Sequence, residues 1–177
     1  RGFPGRLPST DHQFTIRRAN PKGATKLAPR ERYRDRSAGD RRADAAFLAA
    51  LIEHFGGRVE PCGPEHGTSV GMELSCAGVE SGLFRGFTTG GAPGDEGRTV
   101  PVARYHSLGA TSAPAGVRAL ASTPTRIGDV IMAAETEDGM SLGLQFHPES
   151  ILTPCGPLLL ERCVTHLLAK GATHGQR

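Results

Sequence analysis

Apolar positions are sparse and aperiodic over the first quarter of the chain and regular thereafter. Between Arg1 and Asp44 the larger apolar residues (Phe3, Leu7, Phe14, Ile16, Leu27 and Tyr33) stand alone, and neither a period of 2 nor one of 3.6 is sustained. So few apolar groups cannot offset the entropy of ordering the backbone, and residues 1–42 are expected to form a disordered segment. From Ala43 the texture changes. Phe47, Leu48, Leu51, Ile52 and Phe55 share one face of an alanine- and leucine-rich run. With Asp44 in the first turn and Gly56-Gly57 as a stop, this run predicts a helix over Ala43–Phe55. Short apolar runs then predict strands at Val70–Leu74, Val100–Arg104, Val117–Ala121, Val130–Glu135 and Leu142–Phe146, separated by segments bearing Gly and Pro. Gly90–Gly97 reads as a loop. Pro157–Lys170 carries Leu158, Leu159, Leu160, Val164, Leu167 and Leu168 at helical spacing, with Gly171 as its close and residues 172–177 as a frayed tail. The pattern predicts one α/β or α+β domain over residues 43–171.

Composition narrows the class. Gly and Pro make up 37 of the 177 residues, rich in turns but short of a low-complexity chain. No apolar run reaches the ~18 residues a transmembrane helix needs, and the first residues lack the apolar stretch of a secretory signal, so no membrane association is expected. Cys62, Cys76, Cys155 and Cys163 show no CxxC pair and no zinc spacing. They read as reduced thiols of a cytoplasmic protein. The seven histidines are dispersed without ligand spacing, so no metal is expected.

The net charge of +3 hides a division: residues 1–44 carry a balance of +7 and residues 45–177 one of −4. A basic segment invites a nucleic-acid reading. Only Phe3, Phe14 and Tyr33 are available there for stacking, and no binding motif is present, so a solvated tail without a nucleic-acid partner is expected.

The most informative string is LGLQFHPESILT, residues 142–153. His147 and Glu149 follow directly on a predicted buried strand, where ligands of open α/β sheets commonly lie. Pro148 between them restricts the turn, so that Glu149 can orient an imidazole. A histidine paired with a carboxylate is the base half of a nucleophile–His–carboxylate machine.

Arg104-Tyr105-His106-Ser107-Leu108 and Gln145 to Thr153 together resemble the signature blocks of class I glutamine amidotransferases. They are most similar to those of the branch that serves anthranilate synthase and aminodeoxychorismate synthase. Phe55-Gly56-Gly57-Arg58-Val59, His66-Gly67, Gly82-Leu83-Phe84, Pro114-Ala115-Gly116, Val130-Ile131-Met132-Ala133 and Gly156-Pro157-Leu158-Leu159 follow the family's order. The resemblance implies a partial flavodoxin-like α/β domain that lacks the family's N-terminal strands. It implies a Cys–His–Glu glutaminase without a cofactor, in which a cysteine attacks the side-chain amide of glutamine, His147 shuttles the proton and Glu149 orients it. Ser107 and Leu108 match the positions whose backbone holds the glutamine. The partner it implies is a chorismate-using synthase subunit that receives the ammonia, in tryptophan or in folate synthesis.

The pattern breaks at the nucleophile. The family's cysteine stands ten residues before the Phe of the Phe-Gly-Gly block, and here that position is Ala45, without the elbow glycines. Cys155 is nearest to His147 in sequence but sits on no elbow; Cys62 reads as a loop residue and Cys163 as a core residue. Three readings stand open. The chain is an amidotransferase subunit with a silent glutaminase, a binding partner that retains only the synthase-facing surface, or the product of a shifted reading frame joined to an amidotransferase C-terminal part.

Overall fold

A long hairpin forms the middle of the sheet, and the rest of the fold is built outward from it. The computed structural model describes residues 15–17, 47–65, 67–91 and 97–174. In chain order the elements are β1 (Thr15–Arg17), α1 (Phe47–His54), β2 (Glu60–Pro61), β3 (Thr68–Leu74), α2 (Cys76–Glu80), β4 (Thr99–Arg104), β5 (Leu108–Gly109), β6 (Val117–Thr125), β7 (Gly128–Thr136), β8 (Ser141–Leu144) and α3 (Gly156–His174). Six strands form one sheet in the order β1-β8-β7-β6-β3-β4, and β2 pairs with β5 apart from it.

The β6–β7 hairpin extends past the apolar stretches that predicted it, through Ser122–Thr125 and Gly128–Asp129. Its turn is closed by the Thr125 hydroxyl, which donates to the Gly128 carbonyl at 2.8 Å and accepts from the Ile127 N–H at 3.2 Å. From Val130 to Thr136 every residue of β7 is buried, as expected of a strand covered on both faces. Ile131 and Ala134 pack with Leu48 and Ile52 of α1. Met132 and Ala133 pack with Leu159, Cys163 and Leu167 of α3. One helix thus covers each face, a layered α/β architecture.

Every pairing between the described strands is antiparallel. The parallel strands of a flavodoxin-like sheet are therefore not found among the described residues. Residues 126–127 and 137–140 join β6 to β7 and β7 to β8, and such links turn a chain back on itself, whereas a parallel neighbour needs a crossover of a dozen residues or more. Two other expectations change. Gly171 does not close the last helix, which runs on to His174 through residues expected to form a tail. Within the segment expected to be disordered, Thr15–Arg17 pairs with Ser141–Gly143 of β8 through the backbone. The remainder of that segment, residues 43–46 of the first helix and most of the 90–97 loop lie outside the described residues.

Among the described residues no helix is long and apolar enough to cross a membrane.

Candidate active site

β8 ends at Leu144, and the chain then turns sharply across the end of the sheet to reach β4. The His147 N–H donates to the Ala103 carbonyl of β4 at 3.1 Å. The hydroxyl of Thr153 locks the same junction from the other side. It donates to the His147 carbonyl at 2.7 Å and accepts from the Ala103 N–H at 2.9 Å. Ser150 N–H adds a second bond to the His147 carbonyl at 3.2 Å. The turn is seated on the start of α3: a Cβ on Gly156 would lie 1.7 Å from the Pro148 carbonyl oxygen, so only glycine lets the helix approach this closely.

On this scaffold His147 Nδ1 lies 2.6 Å from Glu149 Oε1. The carboxylate can only accept, so Nδ1 carries the proton, and in the neutral ring Nε2 presents its lone pair. Nε2 is buried and has no hydrogen-bond partner among the described residues. An imidazole oriented by a carboxylate, with an unengaged basic nitrogen, is the form a proton shuttle takes before its nucleophile or substrate arrives. Glu149 is exposed at the rim and His147 is buried.

The second block follows β4. Tyr105 brings its ring edge-on to the His147 imidazole, with centroids 4.9 Å apart. Ser107 and Leu108 continue this stretch, and the carbonyl of each is engaged. The Ser107 carbonyl accepts from the Cys62 N–H at 2.8 Å. The Leu108 carbonyl accepts from His106 Nδ1, also at 2.8 Å. Both carbonyls are thereby fixed in direction.

Beside this lies a buried cluster that the sequence did not disclose. An Arg104 guanidinium nitrogen stands 3.3 Å from the Cys62 sulfur and another 3.7 Å from a Glu65 carboxylate oxygen. Cys62 Sγ is 3.8 Å from His106 Nδ1. Burial pushes the His106 pKa down to about 4, and the Arg104 charge pushes the same way, against the bond to Leu108. His106 is therefore neutral near pH 7. The cluster's members are scattered over residues 62–106, so no local spacing signals it.

The other thiols lie elsewhere. Cys163 is buried in the α3 layer, Cys155 is half-buried at the start of that helix and Cys76 is exposed. Ala45 lies outside the described residues. Among the described residues no group of three His, Cys, Asp or Glu side chains could hold a metal. Two surface grooves, of about 430 and 200 Å³, line α3 and α2 respectively, and neither includes His147 or Glu149. The hydrogen-bonded pair, not cavity size, marks the chemistry.

A buried imidazole set on a carboxylate just past a strand end is the geometry from which the base half of a covalent hydrolase can be built. Residues 49–167 match the family of class I glutamine amidotransferases, and the chain belongs to that family. It is 56% identical over 123 residues to anthranilate synthase component 2 of Corynebacterium glutamicum, covering 68% of this chain and 59% of that protein. With the component 2 of Buchnera aphidicola the identity is 42% over 116 residues, covering 65% and 50%. With that of Halobacterium salinarum it is 34% over 110 residues, covering 62% and 48%. The chain thus spans about half to three-fifths of the length of these relatives. In fold it is similar to the crystal structure of a Thermoplasma acidophilum protein described as part of a GMP synthase. The TM-score is 0.54 at 16% identity, over 72% of this chain and 56% of that one.

Proposed function

We propose that this chain is the glutaminase side of an anthranilate synthase component 2-like amidotransferase in which the base half of the site is assembled and the nucleophile is missing. The observation that carries the reading is the 2.6 Å His147–Glu149 pair with a buried, unengaged Nε2. In a complete site a cysteine thiol passes its proton to that nitrogen and attacks the side-chain amide carbon of glutamine. The proton then leaves with ammonia, and water releases glutamate from the thioester. Ser107 and Leu108 supply backbone to the glutamine, and the ammonia goes to a chorismate-using synthase subunit. The similarity to anthranilate synthase components favours the tryptophan branch over the folate branch. With Ala45 where the family has its cysteine, the chain's own glutaminase is silent, since loss of a nucleophile removes several powers of ten in rate.

The test is glutamine hydrolysis by the purified chain, with and without a chorismate-aminating synthase subunit, beside a His147→Ala control. No glutamate above that control is expected. Activity abolished by His147→Ala would overturn the silent-site reading and direct the search for a thiol to Cys62 and Cys155. Binding of the synthase subunit by the silent chain is expected, and its absence would refute the retained interface.

A further inference from the structure

One hydrogen bond fixes a ring at one point. Glu149 holds His147 Nδ1 from a side chain that is 38% exposed, and a single hydrogen bond does not by itself fix the ring's rotation about it. Tyr105 supplies a second point. Its ring stands at 66° to the imidazole with centroids 4.9 Å apart. Its hydroxyl is 3.4 Å from Ser150 Oγ, in the same turn as His147. Gly67, at φ +72°, lies beside the Tyr105 ring: a Cβ there would be in ordinary contact, 3.5 Å from Tyr105 Cε1. Gly67 is tied to the strand end by its N–H, which donates to the Arg104 carbonyl at 3.2 Å. Three stretches far apart in sequence, at Gly67, Arg104 to Leu108 and His147 to Thr153, therefore meet around this ring.

We propose that Tyr105 is a positioning residue. Its ring edge restricts the pivot of the His147 imidazole. The inference rests on the reading of His147 as the proton shuttle, but its test reads the imidazole itself and needs no glutaminase activity. The probe is the Nδ1 proton of His147, followed by proton NMR of the full chain as it exchanges with water. Pivoting carries that proton off Glu149 and exposes it.

An edge-to-face aromatic contact restrains a ring by about 2- to 10-fold in population, so Tyr105→Leu should speed the exchange by about that factor. Tyr105→Phe keeps the ring edge and should stay within about 2-fold of the parent. Tyr105→Met, longer, more flexible and also without a ring, gives the same reading if the leucine variant fails to fold. A purely structural tyrosine would shift the urea midpoint without singling out this proton. Unchanged exchange in a folded variant without the ring, or Tyr105→Phe exchanging as fast as Tyr105→Leu, would overturn the proposal. Failure of the amidotransferase reading would appear in the glutamine assay and leave this result untouched.

Discussion

Replacing Thr153 with valine keeps the shape of the side chain and deletes the hydroxyl that joins the His147 turn to β4. Thr153 is 2% exposed, so water cannot take the hydroxyl's place without opening the turn. Two bonds vanish, with unequal consequences. The His147 carbonyl keeps the Ser150 N–H as a donor at 3.2 Å. The Ala103 N–H loses its acceptor inside the protein, and an orphaned buried donor costs about 1–3 kcal/mol. For a domain of this size that corresponds to a fall in Tm of about 2–12 °C. The assay is urea unfolding with an unchanged slope, checked against thermal unfolding. Thr153→Ser retains the hydroxyl and removes one methyl group, at a cost of about 1 kcal/mol or less. A valine variant within about 0.5 kcal/mol of the parent, the range of an ordinary surface substitution, would refute the bridge. So would a serine variant as unstable as the valine one.

Three other outcomes follow from the same structure. His106 titrates near 4 when folded and near 6.5 when unfolded. The unfolded chain therefore takes up a proton first as pH falls, and stability present above pH ~6.5 should decline by about 3 kcal/mol towards pH 4. Urea midpoints across that range check it, and an unchanged slope in His106→Gln would contradict the assignment. Glu135 of β7 is buried and bonds Arg118 of β6 and, at 2.9 Å, His166 of α3. Glu135→Ala should cost about 3 kcal/mol in chemical unfolding, and a loss below about 1 kcal/mol would show that this carboxylate does not tie α3 to the sheet. Burial pushes the Cys163 thiol up to about 12, whereas Cys76 is exposed. A thiol reagent on the native chain, mapped by mass spectrometry, should label Cys76 first and Cys163 only on unfolding; prompt labelling of Cys163 would refute the packing of α3.

What can be read in advance follows the range of the forces involved. The apolar runs locate β3, β4, β6, β7 and β8 because burial against a helix selects side chains residue by residue. The ends of β6 and β7 escape such a reading because Ser122–Thr125 and Gly128–Asp129 are held by backbone pairing and a threonine-closed turn, which leave no apolar trace. α2 has only five residues and no period; it exists because Ser75 caps it and Gly78 lets it approach the Leu120 carbonyl. Gly171 has the look of a stop, yet one glycine costs a helix only about 1 kcal/mol, and α3 continues past it. In the site, His147 and Glu149 are legible because they are neighbours in sequence. The roles of Thr153 and Tyr105 are not, because their partners lie more than 40 residues away, at Ala103 and at His147.

The turn that carries His147 has a second consequence, for the outermost strand it lands on. β4 ends the sheet, and on its outward side Ala103 spends both backbone groups on that turn. Farther along, the Thr99 carbonyl accepts from the Thr89 N–H, and Pro101 between them has no N–H to offer. A foreign strand therefore finds almost no hydrogen-bonding template there. The geometry that aims an imidazole thus also caps this edge of the sheet, so damage to the turn should appear as self-association.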